Sequence, residues 1–111
     1  MKKKRTGFVS SELAKEVLDR ANNRCENCGI YRCDIFPKRH EIHHIVNRKV
    51  DATPDNLIYL CWECHKGTAG VHGRDGAKLN RKLKMELQEK YFAKGYNEIE
   101  VRKMMNGKIT I

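Results

Sequence analysis

The sequence lacks any long hydrophobic run. No apolar stretch approaches the roughly 18–20 residues that a membrane-spanning helix needs. The basic residues that follow Met1 precede no apolar segment of the kind found in a secretory signal. The sequence therefore predicts a cytoplasmic protein with no membrane partner.

Aromatic and acidic residues are also scarce. Only 7% of the 111 residues are aromatic, which predicts a small core of one domain, residues 10–111, after a basic arm over 1–9. There are 14 acidic against 23 basic residues and a net charge of +9, so a polyanion is the expected partner. The arm either follows phosphates or serves only as a solubilising tail. The 40% hydrophobic content excludes disorder throughout.

The five cysteines form an uneven count that does not suit a set of disulfides. Cys25 and Cys28 form one C-x-x-C pair, and Cys61 and Cys64 form another. Four thiolates at this spacing are typical of a structural Zn²⁺ site. The alternative is one redox pair with incidental thiols, but a redox motif needs no second copy. Cys33 has no predicted role.

The apolar periodicity and the turn signals predict an α+β fold. Two antiparallel strands are expected, over residues 41–46 and 57–60, joined by a loop that contains Pro54. A serine at position 10 or 11 is the expected N-cap of the first helix, and Asn97 with Glu100 resembles a capping box at the start of the last helix. Helices are predicted over residues 10–22, 62–69, 77–94 and 97–105.

All five histidines lie between positions 40 and 72. His43 and His44 are neighbours on a predicted strand, so their side chains point to opposite faces or diverge at a bulge, and do not easily bind one ion together. Two roles follow: one imidazole binds a metal, and its neighbour accepts a proton from water. His65 directly follows the second cysteine pair, which would fix it towards the strand that carries His43.

The order of these residues resembles the HNH endonuclease family. A C-x-x-C pair, two histidines, Asn56, and then a C-x-x-C pair followed by His65 match the family's variant with two zinc knuckles over roughly residues 22–73. The resemblance implies a ββα-metal core that hydrolyses phosphodiester bonds. It implies that His44 is the general base, that His43 and His65 bind a divalent cation, and that Asn56 braces the loop that orients His44.

The role of His72 stays open between a third metal ligand and a surface or phosphate-contacting histidine. Family members with a third histidine often place it one helical turn after the second, where this chain has Ala69. His72 reaches the site only if the helix stops near position 67 or 70. A site of imidazoles accepts Mg²⁺, Mn²⁺, Ni²⁺ or Zn²⁺, although Mg²⁺ prefers oxygen ligands.

Basic residues on both sides of the first predicted strand are candidates for binding DNA phosphates, or else form solvated loops. No helix shows a base-reading pattern, so recognition of DNA shape or backbone is expected. The helical extension over 77–106 either docks DNA or completes the core. The rival hypotheses are a non-catalytic zinc module and, by family resemblance, an accessory subunit of a larger phage or mobile-element DNA-processing complex. The candidate phosphate contacts are Lys38, Arg39, Arg48 and Lys49.

Overall fold

The computed structural model describes residues 7–47 and 50–109. Its elements confirm the predicted α+β class. None of the described helices is long and apolar enough to span a bilayer. Most of the predicted basic arm, residues 1–6, lies outside the described residues, as do Arg48 and Lys49. In chain order the elements are α1 (Ser11–Ala21), β1 (Glu41–His44), a 3₁₀ turn (Pro54–Asn56), β2 (Leu57–Leu60), α2 (Trp62–Lys66), α3 (Ala77–Ala93) and α4 (Glu98–Met104).

The helix boundaries follow from local capping chemistry. Ser10 Oγ accepts a hydrogen bond from the backbone N–H of Leu13 at 3.1 Å and so begins α1. At the start of α4, the Asn97 side chain and the Glu100 side chain each accept a backbone N–H from the other residue, which is a complete capping box. Both signals were visible in the sequence, and the helices start there.

β1 and β2 form an antiparallel pair in which His43 is opposite Ile58 and His44 is opposite Leu57. All four residues of β2 are buried. Because side chains alternate along a strand, Leu57 and Tyr59 pack against α1, whereas Ile58 and Leu60 pack against Leu83 of α3 and the cysteine pairs. β2 is therefore enclosed on both faces and anchors β1, which carries the histidine pair.

β1 ends two residues before its predicted end, because the following backbone groups are taken up by Asn56. The N–H of Val46 donates to Asn56 Oδ1 at 2.7 Å, and the N–H of Ile45 donates to the Asn56 backbone carbonyl at 2.8 Å. The side chain of Asn56 thus replaces a strand partner at this point.

The helix α2 is shorter than the predicted span of 62–69, and close backbone packing explains why. A Cβ atom at Gly70 would lie 2.5 Å from the Glu63 carbonyl oxygen, and one at Gly73 would lie 1.9 Å from the Gly67 carbonyl oxygen. Only glycine fits at these two positions. The chain therefore leaves the helix after Lys66 and folds back along it in a compact loop.

Candidate functional site

The four cysteines of the two C-x-x-C pairs come together, with their sulfur atoms all within 4.8 Å of one another. Cys28 Sγ and Cys61 Sγ are 3.6 Å apart. A tetrahedral zinc ion with Zn–S bonds of about 2.3 Å places its sulfur ligands about 3.8 Å apart. The cluster therefore fits the zinc site that the spacing predicts.

Nitrogen donors surround these sulfur atoms. Cys25 Sγ accepts from the backbone N–H groups of Asn27 and Cys28 at 3.4 Å, and Cys61 Sγ accepts from the N–H of Cys64 at 3.4 Å. The Asn27 side-chain amide donates to Cys64 Sγ at 3.2 Å. Burial raises the pKa of Cys25, but the backbone donors outweigh it and lower that pKa to about 7. Burial raises the pKa of Cys61, a cost that a bound cation removes.

Cys33 lies outside this cluster and belongs to a separate arrangement around His40. The N–H of Cys33 donates to His40 Nδ1 at 3.1 Å, and His40 Nε2 lies 3.3 Å from the carbonyl oxygen of Ile30. Because a carbonyl only accepts, Nε2 carries the proton. The buried His40 thus joins the two ends of the loop between Ile30 and β1, which gives this histidine a structural role.

A second cluster contains His43 from β1, His65 from α2 and His72 from the glycine-rich loop. One ring nitrogen from each lies within 4.8 Å of the others. The ring centroids are 5.4 Å apart for His43 and His65, 5.0 Å for His43 and His72, and 4.7 Å for His65 and His72. The structure thus brings together the two predicted ligands and the residue whose role the sequence left open.

Backbone hydrogen bonds hold His72 in this position. Its N–H donates to the carbonyl of His65 at 2.8 Å, and the N–H of Val71 donates to the carbonyl of Cys64 at 2.9 Å. The side-chain amide of Asn80 on α3 donates to the carbonyl of Val71 at 2.7 Å. Sequence reasoning missed Asn80; the repeated glycines of the loop were the available signal that the chain packs back on itself.

Burial and mutual repulsion favour the neutral form of the clustered imidazoles. Burial, followed by the positive charges of His65 and His72, lowers the pKa of His43 to about 3. Burial and the charge of His72 also lower the pKa of His65. Its Nδ1 is buried, and among the described residues it has no hydrogen-bond partner, since Glu41 Oε1 is 3.7 Å away. Neutral imidazole is the form that binds metal ions.

The chemistry of the donor set fits a divalent ion. Three imidazole nitrogens suit Zn²⁺ or Ni²⁺ better than Mg²⁺, because no carboxylate belongs to the described cluster. Three protein ligands leave a coordination position open, as in catalytic metal sites. His43, His65 and His72 are the side chains that would hold such an ion.

His44 projects from the opposite face of β1, as the strand alternation predicts. Its Nε2 lies 2.8 Å from the backbone carbonyl oxygen of Gly7. Since that oxygen only accepts, Nε2 carries a proton, and Nδ1 is the ring nitrogen that does not contact Gly7. Asn56 is buried, and it accepts the backbone N–H groups of Ile45 and Val46, the two residues that follow His44.

A cleft of about 630 Å³ contains His43, His44 and His72. Its far wall comes from α3 and from the segment after α4, and its described lining contains no acidic residue. Three basic residues of this wall were not among the predicted phosphate contacts, although the spacing of two of them along α3 was visible in the sequence. They are Arg81, Lys84 and Lys108.

Two of the four predicted phosphate contacts, Lys38 and Arg39, lie among the described residues. Lys38 and Arg39 are exposed on the loop before β1 and do not line the cleft. The Lys38 ammonium lies 5.2 Å from the ring centroid of Trp62, and the Arg39 guanidinium lies 5.9 Å from that of Phe36. Both cations therefore lie over aromatic rings outside the cleft lining.

Comparison with known proteins supports the motif assignment. Residues 25–68 match the family model described as HNH endonuclease. The chain is also similar to the Zorya protein ZorE of Escherichia coli strain ATCC 8739, with 33% identity over 66 residues. That match covers 58% of this chain and 18% of ZorE. No solved structure is significantly similar to the chain. The predicted resemblance to the HNH family is thereby confirmed, and it indicates a nuclease-type function related to nucleic acid.

Proposed function

We propose that this chain, whose residues 25–68 carry an HNH domain, is a metal-dependent endonuclease that hydrolyses phosphodiester bonds of DNA. The observation that supports this most strongly is a cluster of three histidines, two of which line a cleft that His44 also lines. Three form a cluster that fits a divalent ion, and the fourth, His44, has its Nε2–H held by a backbone carbonyl. A simple binding module has no need of that arrangement.

In the proposed mechanism, His44 is the general base. Its Nδ1 takes a proton from a water molecule, whose oxygen attacks the phosphorus atom as the bond from phosphorus to the leaving oxygen breaks. The carbonyl of Gly7 accepts the Nε2–H throughout, so it fixes the tautomer and the orientation of the ring. It also stabilises the imidazolium that forms after proton transfer.

A divalent ion bound by His43 and His65, with His72 as third ligand, would stabilise the negative charge that develops on the phosphate and the leaving oxygen. Asn56 contributes indirectly, because its hydrogen bond to the N–H of Val46 holds the turn that follows His44. A zinc ion held by Cys25, Cys28, Cys61 and Cys64 would fix α2 and hence His65, which directly follows Cys64 in the sequence.

The experiment compares cleavage of supercoiled plasmid by the wild type and by His44→Ala, with Mg²⁺, Mn²⁺, Ni²⁺ and Zn²⁺ in turn. Loss of a general base should lower the rate by about 10²–10⁴-fold. Zinc content and thermal unfolding should not change, because His44 does not belong to either cluster.

Two results would contradict the proposal. Normal cleavage by His44→Ala would show that the assigned base is wrong. DNA binding by the wild type with no cleavage under any of the metals would favour the non-catalytic zinc module. A cytoplasmic location and a place in a larger DNA-processing complex remain predictions.

A further inference from the structure

The basic side chains of the cleft differ from several others in the molecule. Arg20 is paired with Glu26 at 2.8 Å and Lys66 with Glu41 at 3.0 Å. The three basic side chains that line the cleft form no ion pair with any described residue. They are Arg81, Lys84 and Lys108. Their charges are therefore available to an anion that enters the cleft.

Local structure directs the three side chains to one place. Arg81 and Lys84 are three residues apart on α3 and so share a face of the helix. Lys108 is brought back by the turn that ends α4, where Asn106 has φ 56° and the N–H of Gly107 donates to the carbonyl of Arg102 at 2.7 Å. This is a Schellman turn, which reverses the chain after a helix.

These charges lie close to the candidate metal centre. The cleft that they line also contains His43 and His72. A phosphate bound at the histidine cluster would place its neighbouring phosphates within the positive field of this wall.

We propose that Arg81, Lys84 and Lys108 form a phosphate clamp, which binds the backbone of the cleaved DNA strand beside the scissile phosphate. This inference rests on the proposed nuclease function. The three residues lie beyond position 68, outside the segment that matches the HNH family, so the clamp belongs to the helical extension of this chain. Arginine contacts phosphate in a bidentate manner and lysine acts as a point charge, so the contact is independent of base sequence.

The test measures equilibrium binding of a fluorescent DNA duplex in a His44→Ala background, which prevents cleavage, between 50 and 200 mM salt (about the range over which phosphate contacts are resolved). The variant Arg81→Gln/Lys84→Gln removes two charges from the clamp. The matched control, Lys78→Gln/Lys103→Gln, removes two exposed charges that do not line the cleft. Both variants therefore have the same net charge.

We expect the clamp variant to bind at least about tenfold more weakly at the lowest salt, and its slope of log K against log salt to fall by about 1.8, since each phosphate contact contributes about 0.9. The control should retain its slope within about 0.5. Lys108→Gln alone should lower the slope by about 0.9. With His44 restored, the clamp variant should show a raised KM for plasmid cleavage.

Equal losses in the clamp variant and the control would overturn the inference, because binding would then depend only on total charge. The outcome is separable from that of the proposed function. If the wild type cleaves DNA and the two double variants bind DNA equally, the nuclease function is supported and the clamp is refuted. A wild type that fails to cleave DNA with any of the four metals, while only the clamp variant loses binding, leaves the clamp as a DNA-binding surface and removes the nuclease.

Discussion

The cysteine cluster and the histidine cluster differ in how completely their ligands would surround an ion, although both clusters include residues of helix α2. Cys64 belongs to the first and His65, the next residue, to the second. Four sulfur atoms, enough to complete a tetrahedron around an ion, lie beside a core that contains Leu60 and Leu83, whereas two of the three clustered imidazoles line an open cleft. Closed sites of this kind stabilise folds, and sites with an open position support catalysis.

Because the two clusters share α2, the histidine cluster should depend on the cysteine cluster, whereas the cysteine cluster should not depend on the histidine cluster. Loss of the cysteine-bound ion would release α2 and thus His65, so it should disturb both clusters. Loss of the histidine-bound ion would leave the buried faces of β2 and the zinc ligands in place. Stability should therefore depend on one cluster, and activity on both.

Cys64→Ser should have the largest effect, because it removes one of the four sulfur ligands. Structural zinc contributes about 10–16 kcal/mol of apparent binding energy in small zinc domains, against a total stability of about 5–15 kcal/mol. We expect loss of zinc, measured by elemental analysis, together with loss of the cooperative thermal transition in circular dichroism.

Cys33→Ser is the matched control for that experiment, since Cys33 lies outside the cluster and only its backbone N–H contacts His40. It should keep full zinc content and a normal transition. If Cys64→Ser also unfolded cooperatively at the wild-type temperature with zinc bound, the structural role of the cysteine cluster would be refuted.

His43→Ala should lower the cleavage rate about a thousandfold, because a catalytic ion contributes several kcal/mol to stabilising the transition state. The cysteine-bound zinc ion and the unfolding temperature should be retained. His43→Asp is the informative companion, because a carboxylate ligand should restore part of the activity and shift its preference towards Mg²⁺. Equal activity of all three proteins in plasmid cleavage would remove His43 from the site.

Asn80→Ala should have an intermediate effect, restricted to the histidine cluster. Its amide holds the carbonyl of Val71, directly before His72. Loss of such a supporting hydrogen bond typically lowers metal affinity by about 10–100-fold. Calorimetric titration with Mn²⁺ or Ni²⁺ should show weaker binding, with zinc content unchanged. Wild-type affinity in this variant would mean that His72 is not held in place through Asn80.

Asn97→Ala should have the smallest effect and should separate stability from both clusters. It removes the capping box of α4, at a cost of about 1 kcal/mol. Denaturant unfolding should show this loss, while zinc content and cleavage rate stay at wild-type values. A change in zinc content or in cleavage rate would show that α4 is coupled to the metal ligands more closely than the contacts of its N-cap indicate.

The parts of the structure that were predictable from sequence depend on short-range patterns. The C-x-x-C spacing indicated the cysteine cluster, alternation placed His43 and His44 on opposite faces, and the Asn97 cap located α4. Each of these depends on residues within a few positions of one another. The fold class and the zinc-binding pattern followed from them.

The remaining features depend on the path of irregular backbone. The approach of His72 depends on close packing at Gly70 and Gly73, which sequence periodicity does not report. The contact of Gly7 with His44 joins positions 37 residues apart, and the basic wall of the cleft requires the packing of α3 against the turn after β1. Such long-range contacts carry no local signal, so the sequence pattern indicates Lys38 and Arg39 and does not report that Arg81 and Lys84 line the cleft.

The most direct test of this account is stepwise chelation of the wild-type protein, followed simultaneously by metal content, circular dichroism and plasmid cleavage. The account predicts two stages. A mild chelator should first abolish cleavage while one zinc ion per chain and the folded spectrum are retained, and added Mn²⁺ or Ni²⁺ should restore the activity. Cleavage that persists until the last zinc ion is lost, in step with unfolding, would contradict the separation of a structural cysteine cluster from a catalytic histidine cluster.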